Sequence, residues 1–158
     1  MSRGDRPLVL VAAIGNPDRG DDGFGPAAAR RLRARVVPGV EIIERRADLL
    51  ALIEDWSGFP FVVIVDAMAS IGEPGRIHRV DLTDNPLPLS FAHRSSHGLG
   101  VAETVELARS LGRLPERLVA YLVEGEQFEP GASLSPMVAR AVEQVSEQIV
   151  TELSAKSG

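Results

Sequence analysis

The sequence contains no cysteine. That excludes a disulfide framework, a thiolate metal site and a cysteine nucleophile together. Lysine is almost as scarce: the single one, Lys156, stands beside the C-terminus, so chemistry that needs a lysine inside a site is excluded. Aromatic residues are only 4% of the 158 positions, which leaves Val, Leu, Ile and Ala to build the core. No apolar run approaches the roughly 20 residues of a membrane span. The run Leu8–Ile14 is too short for a secretion signal and no small-residue cleavage site follows it, so a cytoplasmic location is expected. With a net charge of −5 and no basic tract, no nucleic-acid partner is expected.

The length is that of one domain, 1–158, with flexible ends expected at 1–6 and 155–158. Leu8–Ile14 is a continuous apolar run of the kind that forms a parallel strand buried on both faces. A helix is predicted over Phe24–Ala34, a strand over Val40–Glu44, and a helix capped by Asp48 that ends near Gly58. Phe61–Val65 is the clearest central strand, stopping at Asp66. Arg76–Leu82 reads as a further strand after a Pro74-Gly75 turn. A Pro-rich loop, Asn85–Leu89, then leads to Ser95-Ser-His-Gly98, a helix stopped by Gly112, and a strand over Leu118–Val123. The loop from Glu124 to Leu134 is expected at the same sheet edge as the other functional loops. Ser135 as N-cap and Pro136 at the first helical position open a long last helix. Strands alternating with helices predict an α/β fold with a mostly parallel sheet covered on both faces.

In such sheets ligands bind at the carboxyl ends of the strands. Three places there carry chemistry: the acidic loop Gly15–Gly25 with Asp21 and Asp22, then Asp66, then His97. Each has a plain alternative. An aspartate can cap a helix, Asp66 can close a turn, and His97 can cap the helix after Gly98. Together, Asp22, Asp66 and His97 form a mixed oxygen and nitrogen set that suits Ni, Zn, Fe or Mn, with positions left open for water or substrate. Gly23 and Gly25 are read as room for a chain or a metal-bearing partner to come close. Ser95 and Ser96 adjoin His97 but lack the Gly-x-Ser-x-Gly elbow. The Gly15–Gly25 loop lacks a Gly-Lys-Ser/Thr ending and a Gly-x-Gly-x-x-Gly spacing, so a phosphate loop does not fit. A phospho-accepting receiver domain needs a lysine after its last strand, and none stands there. His78 falls in a predicted strand and reads as structural; whether His93 assists His97 is left open.

Ile14-Gly-Asn-Pro-Asp-Arg-Gly-Asp-Asp-Gly-Phe-Gly25 resembles the signature of the nickel-iron hydrogenase maturation proteases. Val63-Ile-Val-Asp-Ala67, Ser96-His-Gly98 and Ser133-Leu-Ser-Pro136 follow in the family's order. The resemblance implies a three-layer α/β/α sandwich with a twisted sheet. It also implies an aspartic-type endopeptidase that cuts the C-terminal extension from a hydrogenase large-subunit precursor after nickel insertion. Asp22, Asp66 and His97 would then contact the metal. The protease would hold no metal or cofactor of its own and would meet nickel on its protein substrate. Asp21 is the candidate to orient metal-bound water or to act as base. Glu44-Arg-Arg-Ala47 stands where members often carry an Asp-Gly-Gly-Thr-like segment, adding bulk and positive charge. Two other readings stand beside this one: a nickel-checking partner that binds the precursor without cutting it, and an unrelated hydrolase with its own metal.

Overall fold

The computed structural model describes residues 7–46, 48–92 and 100–156. Five strands form one sheet in the order β2-β1-β3-β5-β4. They are β1 (Val9–Ile14), β2 (Val40–Arg45), β3 (Phe61–Ala69), β4 (Ile77–Asp81) and β5 (Arg117–Gly125). β2, β1, β3 and β5 run parallel, and β4 pairs antiparallel with β5 at the edge. The connection from β3 to β4 passes over the end of β5 in residues 70–76. A parallel return needs a dozen or more residues, so this short link forces β4 to run the other way.

The helices are α1 (Phe24–Arg35), α2 (Ala51–Asp55), α3 (Leu89–Ala92), α4 (Val101–Ser110) and α5 (Pro136–Lys156). A 3₁₀ turn, Gly20–Gly23, precedes α1. The period-two alternation of a strand divides β3 between two cores. Val62, Ile64 and Met68 face α2 and α4 with Leu52, Trp56, Val101 and Val105. Val63, Val65 and Ala67 face α1 and α5 with Phe24, Leu32, Val138 and Val145. The result is the predicted α/β architecture with a mostly parallel sheet. Trp56, the one tryptophan, is buried and its indole N–H donates to the Arg113 carbonyl at 2.9 Å. No helix among the described residues is long and apolar enough to cross a membrane.

Three elements differ from expectation. β3 does not stop at Asp66 but continues to Ala69, because the ladder with β5 runs on to Ala69 opposite Gly125. A polar side chain on a sheet face leaves the backbone bonds intact. The helix after Asp48 is only Ala51–Asp55. A short helix, α3, starts at Leu89, where the Pro-rich loop was read to end, in a stretch for which no element was expected. At the C-terminal end, residues 155 and 156 close α5.

Candidate active site at the carboxyl edge of the sheet

The first strand ends at Ile14, and the chain then turns sharply back over itself. Gly15 has φ of 143°, and a Cβ there would collide with the Asp22 carbonyl. Its amide donates to the Arg45 carbonyl of the neighbouring strand at 3.0 Å. Only glycine fits this corner, and the corner brings Asp22 back over the end of β1. Gly25 works differently. It is helical, and a Cβ would run into the backbone of Ile14, so its lack of a side chain lets α1 lie against β1. A Cβ on Gly23 would meet Pro17 of the same loop. The space these two glycines leave is thus filled by the protein itself, not held open for a partner as expected from the sequence.

Asp22 is 1% exposed. Its Oδ2 accepts the amide of Asn16 at 2.9 Å, which closes the loop across six residues. The 3₁₀ turn that carries it packs against β3. Asp66 is 2% exposed and lies within β3, opposite Leu122 of β5. Its Oδ1 accepts the amide of Ala67 at 2.8 Å. By alternation it belongs to the sheet face covered by α2 and α4. A small depression beside it is walled by Met68, Leu87, Phe91, Val101 and Leu122. The structure therefore brings two buried carboxylates to the carboxyl edge of adjacent parallel strands. His97 and His93 lie outside the described residues, between the ends of α3 and α4. Among the described residues no trio of His, Asp and Glu gathers as a metal-holding group.

Asp21 is fully buried, and its role is visible in its partners. One oxygen accepts the amides of Glu126 and Gln127 at 2.8 and 2.9 Å. The other accepts the amide of Ser135 at 2.7 Å, and the Ser135 hydroxyl donates to the carboxylate as well. The Asp21 amide donates to the Gln127 carbonyl, and Gly20 donates to Ala132. The long loop after β5 thus braces the acidic turn, at the sheet edge where it was expected. Ser135 opens α5 as predicted, but its hydroxyl is directed at Asp21. An Asp21→Asn variant would turn an amide N–H₂ toward this cluster of donors. It is expected to lose about 2 kcal/mol of stability through the unmade bonds, read as a lower urea midpoint with an unchanged slope.

The departing segment begins inside the end of β2, and its side chains are occupied locally. Glu44 pairs with Arg33 of α1 at 2.6 Å. It alternates with Ile43, which packs on the α2/α4 face, so its carboxylate is turned to the side opposite Asp66. Arg45 forks onto Asp55 of α2 at 2.7 and 2.5 Å. The hydrogen bond and the charge of Asp55 both raise the Arg45 pKa. Arg46 is exposed and reaches toward Asp18 at 3.6 Å.

One buried cluster at this edge escaped the sequence reading. Glu124, 1% exposed, is the penultimate residue of β5. Its Oε1 accepts the amides of Ile71 and Glu73, both at 2.9 Å, and the Ser70 hydroxyl at 3.1 Å. Its Oε2 meets His78 Nε2 at 2.7 Å. Burial works against the charge, but the bonds from His78, the two amides and Ser70 outweigh it and pull the carboxyl down to about 2. Glu124 thereby fastens the link that crosses over β5. The rule that selected Asp66, a carboxylate at the carboxyl end of a parallel strand, also selects Glu124.

A mostly parallel sheet with buried carboxylates at its carboxyl edge places them where α/β proteins bind ligands, and the comparisons with known proteins define the class as a peptidase. The sequence profile of the HycI hydrogenase maturation proteases matches residues 28–152. A hydrogenase 2 maturation protease of Escherichia coli (strain K12) is 30% identical, over 92% of this chain and 90% of that one. Among solved structures, the hydrogenase maturating endopeptidase HybD from E. coli superimposes with a TM-score of 0.77 at 26% identity, covering 94% of this chain and 93% of that one. The [NiFe] hydrogenase maturation protease HycI from Thermococcus kodakarensis KOD1 gives 0.74 at 25% identity, with 94% of both chains covered. The chain belongs to the hydrogenase maturation protease family.

Proposed function

We propose that this chain is an aspartic-type endopeptidase that acts in the cytoplasm. Its substrate is the large-subunit precursor of a nickel-iron hydrogenase, from which it removes the C-terminal extension once nickel is in place. The observation that carries this reading is the pair Asp22 and Asp66, both almost fully buried at one sheet edge, in a chain of this family. Carboxylate oxygens and an imidazole suit a metal of intermediate softness and leave open positions for ligands from a partner. In this reading the nickel of the precursor docks on Asp22, Asp66 and His97 and remains the substrate's metal. There it polarises the scissile carbonyl or lowers the pKa of an attacking water. Asp21 contributes by position: it holds the turn that presents Asp22. Relatives named as proteases and endopeptidases favour cutting over a binding role without cleavage.

The test is to incubate the protein with nickel-loaded and nickel-free precursor and follow loss of the tail on a gel. The loaded precursor is expected to shorten, the empty one to remain intact, and His97→Ala to leave both intact. Equal processing by all combinations would remove nickel from the mechanism, and a stable uncut complex would remove the protease.

A further inference from the structure

The strand register places Asp66 of β3, Leu122 of β5 and His78 of β4 in one row across the sheet. Residues in a row share a face, so His78 lies on the same side as Asp66, two strand spacings or about 10 Å away. The His78 side chain is 15% exposed, and one ring nitrogen is tied to Glu124. Its ring also packs on Phe91, with centroids 4.9 Å apart and planes tilted by 54°. Phe91 belongs to α3, which spans only Leu89–Ala92. A single turn of helix does not hold itself in place. Phe91 is at the same time a wall of the depression beside Asp66. The contacts therefore run from Glu124 to His78, from His78 to Phe91, and from Phe91 to the surroundings of Asp66.

His78 is not needed to hold β4, which is already laddered to β5 over five residues. Its part in holding the crossing link, through Glu124, is shared with the Ser70 hydroxyl and the Ile71 and Glu73 amides, which bond Glu124 directly. What it adds is a ring contact on Phe91 of α3, beside the packing of Leu87 and Phe91 on the core. We propose that His78, oriented by Glu124, is a positioning residue that fixes Phe91 and α3 beside Asp66. This rests on Asp66 acting in cleavage as set out above.

The experiment compares His78→Leu, Phe91→Ala and the double variant with the native protein. Amide exchange in residues 84–92 is expected to rise about tenfold in His78→Leu, with β3 and β5 unchanged, because α3 opens locally. In cleavage of nickel-loaded precursor, kcat is expected to fall about tenfold with KM within about twofold, and the double variant to fall no further than the worse single one. Unchanged exchange in 84–92, or a rise spread equally over β3 and β5, overturns the proposal, as do single effects that multiply. If the native protein leaves the precursor uncut, the processing role falls, while the exchange pattern still decides whether His78 seats α3.

Discussion

Asp66→Asn is expected to slow processing of nickel-loaded precursor at least a hundredfold, about 3 kcal/mol of transition-state stabilisation, and to leave the fold intact. The two halves of this expectation come from different atoms. The Oδ1 of Asp66 accepts the amide of Ala67 at 2.8 Å, and an asparagine oxygen can do the same. The side chains are nearly isosteric, so the packing against Met68 and Leu122 is kept. What disappears is the negative charge. At a site 2% exposed, a carboxylate attracts a cation far more strongly than it would in water, and that attraction is what the proposed docking of nickel asks of it. The near-isosteric exchange is expected to leave a cooperative thermal melt. Asp21→Asn differs in losing stability, because there four donors converge on the two oxygens. The measurement is a processing time course beside a thermal melt. Cleavage within about threefold of native in a folded Asp66→Asn variant would take Asp66 out of the chemistry.

Much of this arrangement was legible before any coordinates. The apolar run ending at Ile14 announced a doubly buried strand, and the acidic loop after it fell where a parallel sheet places its ligands. Asp22 and Asp66 were singled out on that ground, and both lie buried at that edge. What was not legible has physical reasons. The end of β3 was misread because a charge looks like the end of a buried strand, whereas the ladder depends on backbone groups alone. α3 was hidden because Pro86 and Pro88 precede it and because Leu89, its first residue, is exposed, so no apolar stripe marks it. The direction of β4 leaves no trace in its own five residues. It follows from the length of the link before it, a signal present in the sequence. The glycines of the acidic loop show a further limit. Composition reports that space is needed, but only the fold shows that Ile14 and Pro17 fill it. Glu124 was passed over because it looked like the start of a polar loop; it closes a strand instead.

Glu124 also sets the second large effect, in stability and its pH dependence. Its folded pKa lies at about 2, against an ordinary 4.5. A carboxyl held below its unfolded value stabilises the fold only while it is ionised. The stabilisation is complete above the unfolded value and disappears as pH falls through the folded one. The difference corresponds to roughly 3 kcal/mol at neutral pH, at about 1.4 kcal/mol for each tenfold. Glu124→Gln is therefore expected to lose roughly that amount at pH 7. The gap from native should then close progressively between about pH 5 and about pH 2. Asp81, held low by the Thr83 amide, and Glu152, held low by Arg79, also titrate in acid. They do so in both proteins and drop out of the difference. The glutamine oxygen can keep the Ser70, Ile71 and Glu73 bonds that fall on Oε1, while its N–H₂ stands in for Oε2 against His78, so the loss is expected from the charge rather than from the bonds to the link. Urea unfolding at a series of pH values measures the gap. A gap that stays constant from neutral pH to about pH 3 would mean that the charge of Glu124 does not hold the link, and that its place at the end of β5 matters through shape alone.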